Sequence, residues 1–363
     1  MESQNVFVKK PRKNIVKPTF LKKDYWIKKF INTKIGVIPV IFDSLNFKDK
    51  FGEIKARLGI NRNNYKVAPG IYAIGNPDEN SQVLVTANYK LTFDKLRKEL
   101  SEMSLWIVVL DTKGINVWCA AGKGTFGTEE LIKRVKLTKI KELINHNTII
   151  LPQLGAPGIN QQKVIKETGL KIKYGPVYAK DIKKYIENNF EKSNEMKKIN
   201  FNIVDRVILT PIELNATIIP NLIIISVLFV LNLISQRNFS NKFIFDYLPF
   251  LFASVTGGFL FPILLPFLPS RSFAIKGAFL GLIYIIIVSL TGRNSIIFYL
   301  TNFLLYVPFI SFLALNFTGS TTFTSLSGVK KEIKIATPIY IVSAIIGVVL
   351  KILEIFKIFK ETV

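Results

Sequence analysis

The hydropathy pattern changes character near residue 200. Beyond it, long apolar runs free of acidic residues occur at roughly 216–235, 247–268, 273–290, 295–317 and 336–353. A helix rises about 1.5 Å per residue and the hydrocarbon core is about 30 Å thick, so about 20 apolar residues suffice to cross it. The five runs predict an all-α membrane domain of five transmembrane helices, with Tyr247, Tyr299 and Tyr340 near their ends, where amphipathic rings favour the interface. Before residue 200 the runs are short. Apolar stretches at 83–87, 105–110, 148–151 and 171–174 alternate with helix-like stretches at 91–101, 128–144, 160–168 and 179–190. Thr128 is placed to cap its helix, with Glu129 and Glu130 favourable in the first turn. This alternation predicts an α/β fold, a mostly parallel sheet with flanking helices. Ligands on such sheets sit beyond the carboxyl ends of the strands, here the loops after 87, 110, 151 and 175.

The pattern divides the chain into a basic segment (1–50), an α/β domain (51–195), a linker (196–214) and the membrane domain (215–363). Residues 1–200 carry 37 Lys and Arg against 19 Asp and Glu, and residues 201–363 carry 12 against 6. In the basic segment Phe7, Phe20, Tyr25, Trp26 and Phe30 are interspersed. Such a stretch suits nucleic acid, anionic headgroups or plain solvation, and with a membrane domain in the same chain lipid or solvation is preferred and no nucleic-acid partner is expected. The N-terminus has no apolar core of the secretory-signal type. The expected placement is therefore a multi-pass protein of the inner (cytoplasmic) membrane with the N-terminal domain in the cytoplasm. Apart from Lys276 and Lys351, near enough to ends to snorkel, the spans hold no ionisable residue, which favours an anchor or docking surface over a conduction path. The polar run Thr318 to Gly328 reads as a loop.

Composition narrows the chemistry. One Cys and one His leave no ligand set for a disulfide framework, a zinc site or an intrinsic iron–sulfur cluster, so a metal would have to arrive inside a cofactor. Hydrolase triads lose ground for the same reason. Two loops stand out. The one after 105–110 runs from Asp111 to Thr128, with Gly114, Gly122, Gly124 and Gly127 around Cys119, and Ile115 to Ala121 could make about two turns of helix. The one after 148–151 runs Pro152-Gln-Leu-Gly-Ala-Pro-Gly-Ile159. Glycines let backbone approach a large ligand closely. Gly122-Lys123-Gly124-Thr125 lacks the P-loop spacing G-x-x-x-x-G-K-S/T. Taken alone, Cys119 reads as a small buried hydrophobe, Trp118 as packing and His146 as a solvated turn residue.

The run Asn116-Val117-Trp118-Cys119-Ala120-Ala121-Gly122-Lys123 resembles, at every position, the cap-helix signature N-(V/I)-W-C-A-(A/G)-G-K of the HgcA family, the membrane-anchored corrinoid proteins of the two-protein mercury-methylation system. The resemblance extends through 57–60, 65–76, 83–89, 111–131, 151–158, 175–181 and 205–214. It implies a Rossmann-like domain that holds a cobamide (cobalamin-type cobalt corrinoid) base-off over a short cap helix. By the same resemblance Cys119 is the catalytic residue and, as thiolate, the lower axial cobalt ligand. Trp118 would pack on the corrin edge, and Asn116, Gly122 and Gly124 would fix the cap. Val117, Ala120, Ala121, Lys123 and Thr125 in the same run, with Thr86, Asn88, Gly114, Gly155, Ala156 and Gly158 from neighbouring loops, complete the implied cofactor site. The family resembles in turn the corrinoid domain of the acetyl-CoA-pathway corrinoid iron–sulfur protein, which has Thr at the Cys position and its own cluster domain.

The implied activity is a corrinoid-dependent methyltransferase. Co(I) takes a methyl group from a methyltetrahydrofolate-linked donor protein, and methyl-Co(III) passes it to Hg(II), held as a thiolate complex, to give methylmercury. The implied reductant is a small ferredoxin with two 4Fe–4S clusters, which the basic surface would attract. The alternative is a membrane-anchored corrinoid methyl carrier of one-carbon or acetyl-CoA-type metabolism with a non-mercury acceptor. From a different class comes a transporter or sensor whose soluble domain only binds a ligand.

Overall fold

The computed structural model describes residues 24–290, 295–320 and 326–356. Phe7 and Phe20 of the basic segment lie outside them. The chain forms two compact units, one from the residues up to Glu53 with Asn63–Lys198, the other from Ile54–Arg62 with Ile199 onward.

The first unit holds β1 (Ile27–Thr33), β2 (Gly36–Ile41), the opening turns of α1 (Phe47–Arg57, of which residues 54–57 belong to the second unit), β3 (Gly70–Ile74), β4 (Val83–Ala87), α2 (Lys90–Glu99), β5 (Leu105–Leu110), α3 (Val117–Lys123), α4 (Thr128–Thr138), α5 (Ile140–Leu143), β6 (Thr148–Leu151), α6 (Gln161–Thr168), β7 (Lys171–Tyr174) and α7 (Ile182–Glu187). The seven strands lie in the order β1-β2-β3-β5-β4-β6-β7. β5, β4, β6 and β7 run parallel, while β3 is antiparallel to β5 and β1 pairs with β2 as a hairpin. The expected α/β architecture is present, and its four parallel strands are the four apolar runs. β1 to β3 extend it on the far side of β5. β1 and β2 draw on residues before 50, and the aromatics there divide: Trp26 is buried while Phe30 stays exposed.

Central strands bury both faces, which is why they read as continuous apolar runs. On β5, Leu105, Ile107 and Val109 pack with Phe93 and Leu96 of α2 and Tyr185 of α7. Trp106, Val108 and Leu110 face Leu131 and Val135 of α4 and Val164 of α6. The α4 terminus differs from expectation. Gly127 is the N-cap. Thr128 instead accepts from the Asn160 amide (2.8 Å) and so ties α4 to the loop before α6. The expected 128–144 helix breaks at Lys139, whose φ is 52°. From β4 the chain moves outward to β5 on one side and to β6 and β7 on the other. The loops after β4 and β6 diverge at this switch point and leave a crevice beyond the strands' carboxyl ends.

The second unit contains α8 (Ile203–Val207), α9 (Thr210–Gln236), α10 (Lys242–Val255), α11 (Phe261–Leu264), α12 (Phe273–Ser289), α13 (Ile296–Asn316) and α14 (Leu326–Ile355), with one π-helical turn at Thr256–Leu260 joining α10 to α11. Among the described residues, four helical stretches are long and apolar enough to cross a membrane: Ile203–Gln236, Lys242–Leu264, Ile296–Asn316 and Gly328–Ile355. α12, the third of the five expected spans, is apolar but has 17 residues, the low end of the spanning range. Gly277 and Gly281 bring it close to α13. A Cβ at Gly281 would lie 2.9 Å from the Val307 Cα, small residues at a helix contact being the membrane way of packing. α14 starts about ten residues before the expected 336, so the polar run is partly helical; its residues 321–325 lie outside the described ones.

Both lysines of the apolar helices find partners within the protein. The Lys276 ammonium donates to the Leu265 and Leu268 carbonyls (2.7 Å each). Lys351 pairs with Asp246 of α10 (3.0 Å), whose other oxygen accepts from Asn232 (3.2 Å). A nearby partner meets a charge's need at lower entropic cost than extension to water.

Candidate functional site

The site is built where the chain leaves β4 and β5. Asn88 follows β4, is fully buried, and accepts from the Thr112 and Gly114 amides (3.1 and 2.9 Å) while its amide nitrogen donates to Asp111 (3.3 Å). It therefore organises the turn after β5. Gly114 is required there. Its φ is +75° and a Cβ would sit 2.7 Å from the Asn63 carbonyl oxygen. Asp111 pairs with Lys113 across this turn. Burial pushes the Asp111 carboxyl up, but hydrogen bonds from the Lys113 ammonium and amide outweigh it and hold the group below the usual carboxylate range. Asn88→Ala would strand the buried Gly114 amide, at about 1–3 kcal/mol, and leave the Thr112 amide only the Leu110 carbonyl (3.1 Å). A clear drop in the thermal unfolding midpoint is the expected result; an unchanged midpoint would show that the turn is held by other contacts.

The turn delivers α3. Asn116 is its N-cap, its side chain accepting from the Cys119 amide (2.9 Å), and Gly124 closes it in the left-handed conformation. A short helix is present where one was expected over Ile115 to Ala121, shifted two residues on. Val117, Ala120 and Ala121 are buried in the core, Trp118 and Cys119 are half-buried, and Gly122, Lys123 and Gly124 are exposed. Thr125 returns its hydroxyl toward the Ala120 carbonyl (3.5 Å). Beneath the helix lies Phe126, fully buried. A Cβ on Gly155 would meet its ring at 2.5 Å, and one on Gly158 would fall on its carbonyl oxygen. These two glycines leave room for Phe126 and α3. Ala156, between them, is half-buried.

A cavity of about 300 Å³ opens at the β4/β6 crevice. Of the expected residues, Thr86, Asn116, Val117 and Trp118 line it, joined by Thr92 and Lys95 of α2, Leu154, and Tyr178 after β7. Cys119 lies one residue beyond this wall, on the half-exposed side of α3. Asn88 and Gly114 sit in the turn that carries the helix. The lining from α2 and Tyr178 was not anticipated, although Tyr178 belongs to the Gly175 to Asp181 run singled out above. A half-exposed thiol on a short, capped helix, beside an apolar cavity and with open space at Gly124, fits a large planar ring carrying a soft metal.

A buried ionic cluster beside the site had no sequence forecast. On α2, Lys90 pairs with Asp94 (2.5 Å) and with Asp49 of α1 (2.7 Å), and Arg97 pairs with the same two carboxylates (2.8 and 2.6 Å). All four side chains are buried. The Lys90 ammonium also lies 4.6 Å from the Trp26 ring centroid. The cluster staples β1, β2 and α1 to α2, directly after Asn88. Burial pushes the Asp49 carboxyl up, but hydrogen bonds from Lys90 and Arg97 outweigh it and hold it below the usual range.

Residues 29–186 match the family model of the CO dehydrogenase/acetyl-CoA synthase delta subunit. The chain is 30% identical over 176 residues to the acetyl-CoA decarbonylase/synthase complex subunit gamma of Archaeoglobus fulgidus, covering 46% of this chain and 37% of that protein. It is 33% identical over 128 residues to the same-named subunit of Methanocaldococcus jannaschii (35% and 26%), and 31% over 124 residues to that of Methanopyrus kandleri (34% and 26%). The chain thus spans between about a quarter and somewhat over a third of the length of these relatives.

Proposed function

We propose that the α/β unit holds a cobalt corrinoid and carries methyl groups from a donor protein to an acceptor, and that this acceptor is Hg(II) presented as a thiolate complex. The observation that carries the reading is Cys119, the chain's one cysteine, half-exposed on a helix whose N-cap holds its amide. Likeness to subunits of acetyl-CoA-synthesising complexes supports the general carrier role. The choice of mercury rests on the Asn116 to Lys123 run alone.

Bound at α3, the corrinoid supplies the metal that carries the methyl group. The protein's own part is positional and electronic. Asn116 and the Asn88 turn fix the height and tilt of α3, and Val117, Ala120 and Ala121 anchor it. Trp118 presents an apolar wall of the cavity. Cys119 would hold the metal as a thiolate, having lost its proton, and would lend it the electron density that methyl transfer to an electrophile requires. The reading includes a methyltetrahydrofolate-linked donor, a small ferredoxin with two 4Fe–4S clusters as reductant, and an inner-membrane protein whose α/β unit faces the cytoplasm.

The second reading keeps the carrier and changes the acceptor to one of acetyl-CoA-type metabolism; the comparisons favour it. Offering the methylated protein Hg(II) and candidate biological acceptors in parallel separates the two. The mercury reading expects Hg(II) to be methylated faster, and a faster biological acceptor would replace it. A purified chain without corrinoid absorbance would sink both and favour the transporter or sensor.

A further inference from the structure

Along α1 and into the turn after it, Phe47, Phe51, Ile54 and Leu58 recur at spacings of four, three and four, so they stand on one side of the helix. They are 78%, 53%, 55% and 36% exposed, and the two Phe rings stack at 6.2 Å. The opposite side is the packed one. It carries Asp49 and Ala56, both buried, and Gly52, where a Cβ would meet the Tyr65 ring. At 100° per residue, Lys48 and Lys55 fall on one flank of the apolar stripe and Lys50 and Arg57 on the other. Glu53 falls toward the packed side. A contiguous apolar stripe left outward marks an interaction surface. An apolar stripe bracketed by basic residues is the disposition of a helix lying in the membrane interface.

Where α1 leads identifies what covers the stripe. Ile54–Arg62 form one compact unit with the helices long and apolar enough to cross a membrane. At Gly59 a Cβ would lie 3.4 Å from the Asn215 side chain and 3.5 Å from that of Ile212, both in the opening turns of α9, whose uninterrupted apolar run begins at about 216. The C-terminal end of α1 is therefore held at the level where the chain enters the hydrocarbon. Basic flanks at that level complement anionic headgroups.

We propose that α1 lies along the bilayer surface, with Phe47, Phe51, Ile54 and Leu58 at the boundary of headgroups and acyl chains and with Lys48, Lys50, Lys55 and Arg57 against lipid phosphates. The inference does not depend on the corrinoid reading. The test uses the full chain in bilayer nanodiscs of phosphatidylcholine and phosphatidylglycerol, with a photoreactive benzoylphenylalanine at position 51. Irradiation should attach phospholipid to the peptide carrying that position. Attachment to a peptide of this chain, a second copy or another protein overturns the proposal, as does no attachment. Hydrogen exchange of the unsubstituted chain gives an independent reading. The α1 amides should exchange more slowly with phosphatidylglycerol present than in phosphatidylcholine alone, and Lys48→Gln with Lys55→Gln should remove roughly tenfold of that protection. Equal exchange in both lipids overturns the headgroup contact.

Discussion

Replacing Cys119 with alanine is expected to leave the corrinoid bound, change its absorption spectrum, and lower methyl transfer to Hg(II) roughly 100-fold or more, since loss of supporting groups around a metal already costs about 10–100-fold. The fold should survive. Alanine is the best helix former, and Cys119 is half-exposed on a helix anchored by Val117, Ala120 and Ala121. Its N-cap bond is to the Cys119 backbone amide, which the substitution retains. The variant should therefore unfold within about 0.5 kcal/mol of the parent, as exposed substitutions do. That separation is the point of the experiment, because a packing role would move stability, whereas a residue that holds the metal would move spectrum and rate. Unchanged spectrum and rate would end the assignment. Trp118→Ala should do less, since a wall residue can be partly replaced by its neighbours.

Asp94→Ala is the substitution expected to damage the fold most. It leaves Lys90 and Arg97 sharing the single carboxylate of Asp49 in a place from which water is excluded. Removing one partner of a buried pair costs about 3–5 kcal/mol, a large share of an ordinary domain's total stability. Denaturant unfolding followed by Trp fluorescence should show it, and a change below about 1 kcal/mol would mean that water or rearrangement reaches the cluster. The pH dependence has a definite sign. Asp49 has a folded pKa below its unfolded value, so its contribution is full above about pH 4 and is lost as pH falls through the folded value. The parent should lose stability below about pH 4 more steeply than Asp49→Asn, and parallel curves would contradict the assignment.

The parallel strands were legible because burial on both faces makes them unbroken apolar runs. β1 was not, since IKKFINT keeps much of its length exposed and reads as part of a solvated basic segment. β3 is five residues ending in Ala73 and Ile74, too short a signal beside its neighbours. At the site, α3 was legible through its motif and its Asn and Gly caps. Asn88 works on the turn that carries α3, a role set by amides 24 and 26 residues away, which its position in the sequence does not announce. The glycines at 155 and 158 illustrate a different limit: the same residue type serves close approach of a ligand or of Phe126, and spacing does not distinguish them. The ionic cluster was hidden by its own regularity. Lys90 to Asp94 and Asp94 to Arg97 have the spacing of an ordinary solvated helix face.

The Asp246–Lys351 pair joins residues 105 apart in the chain, and this has a meaning in time as well as in space. Synthesis reaches α10 long before α14, so Asp246 enters an apolar environment while its counter-charge does not yet exist, at a cost of up to about 3 kcal/mol. Asn232, near the end of α9, is already made and offers its side-chain amide to Asp246. The first helical hairpin thus carries a first partner, and the arrival of the last helix adds a full charge pair at the other carboxylate oxygen while the Asn232 hydrogen bond is kept. α14 then acts as the closing step of assembly, and chains that stop short of Lys351 would be left with an uncompensated Asp246 among the apolar helices.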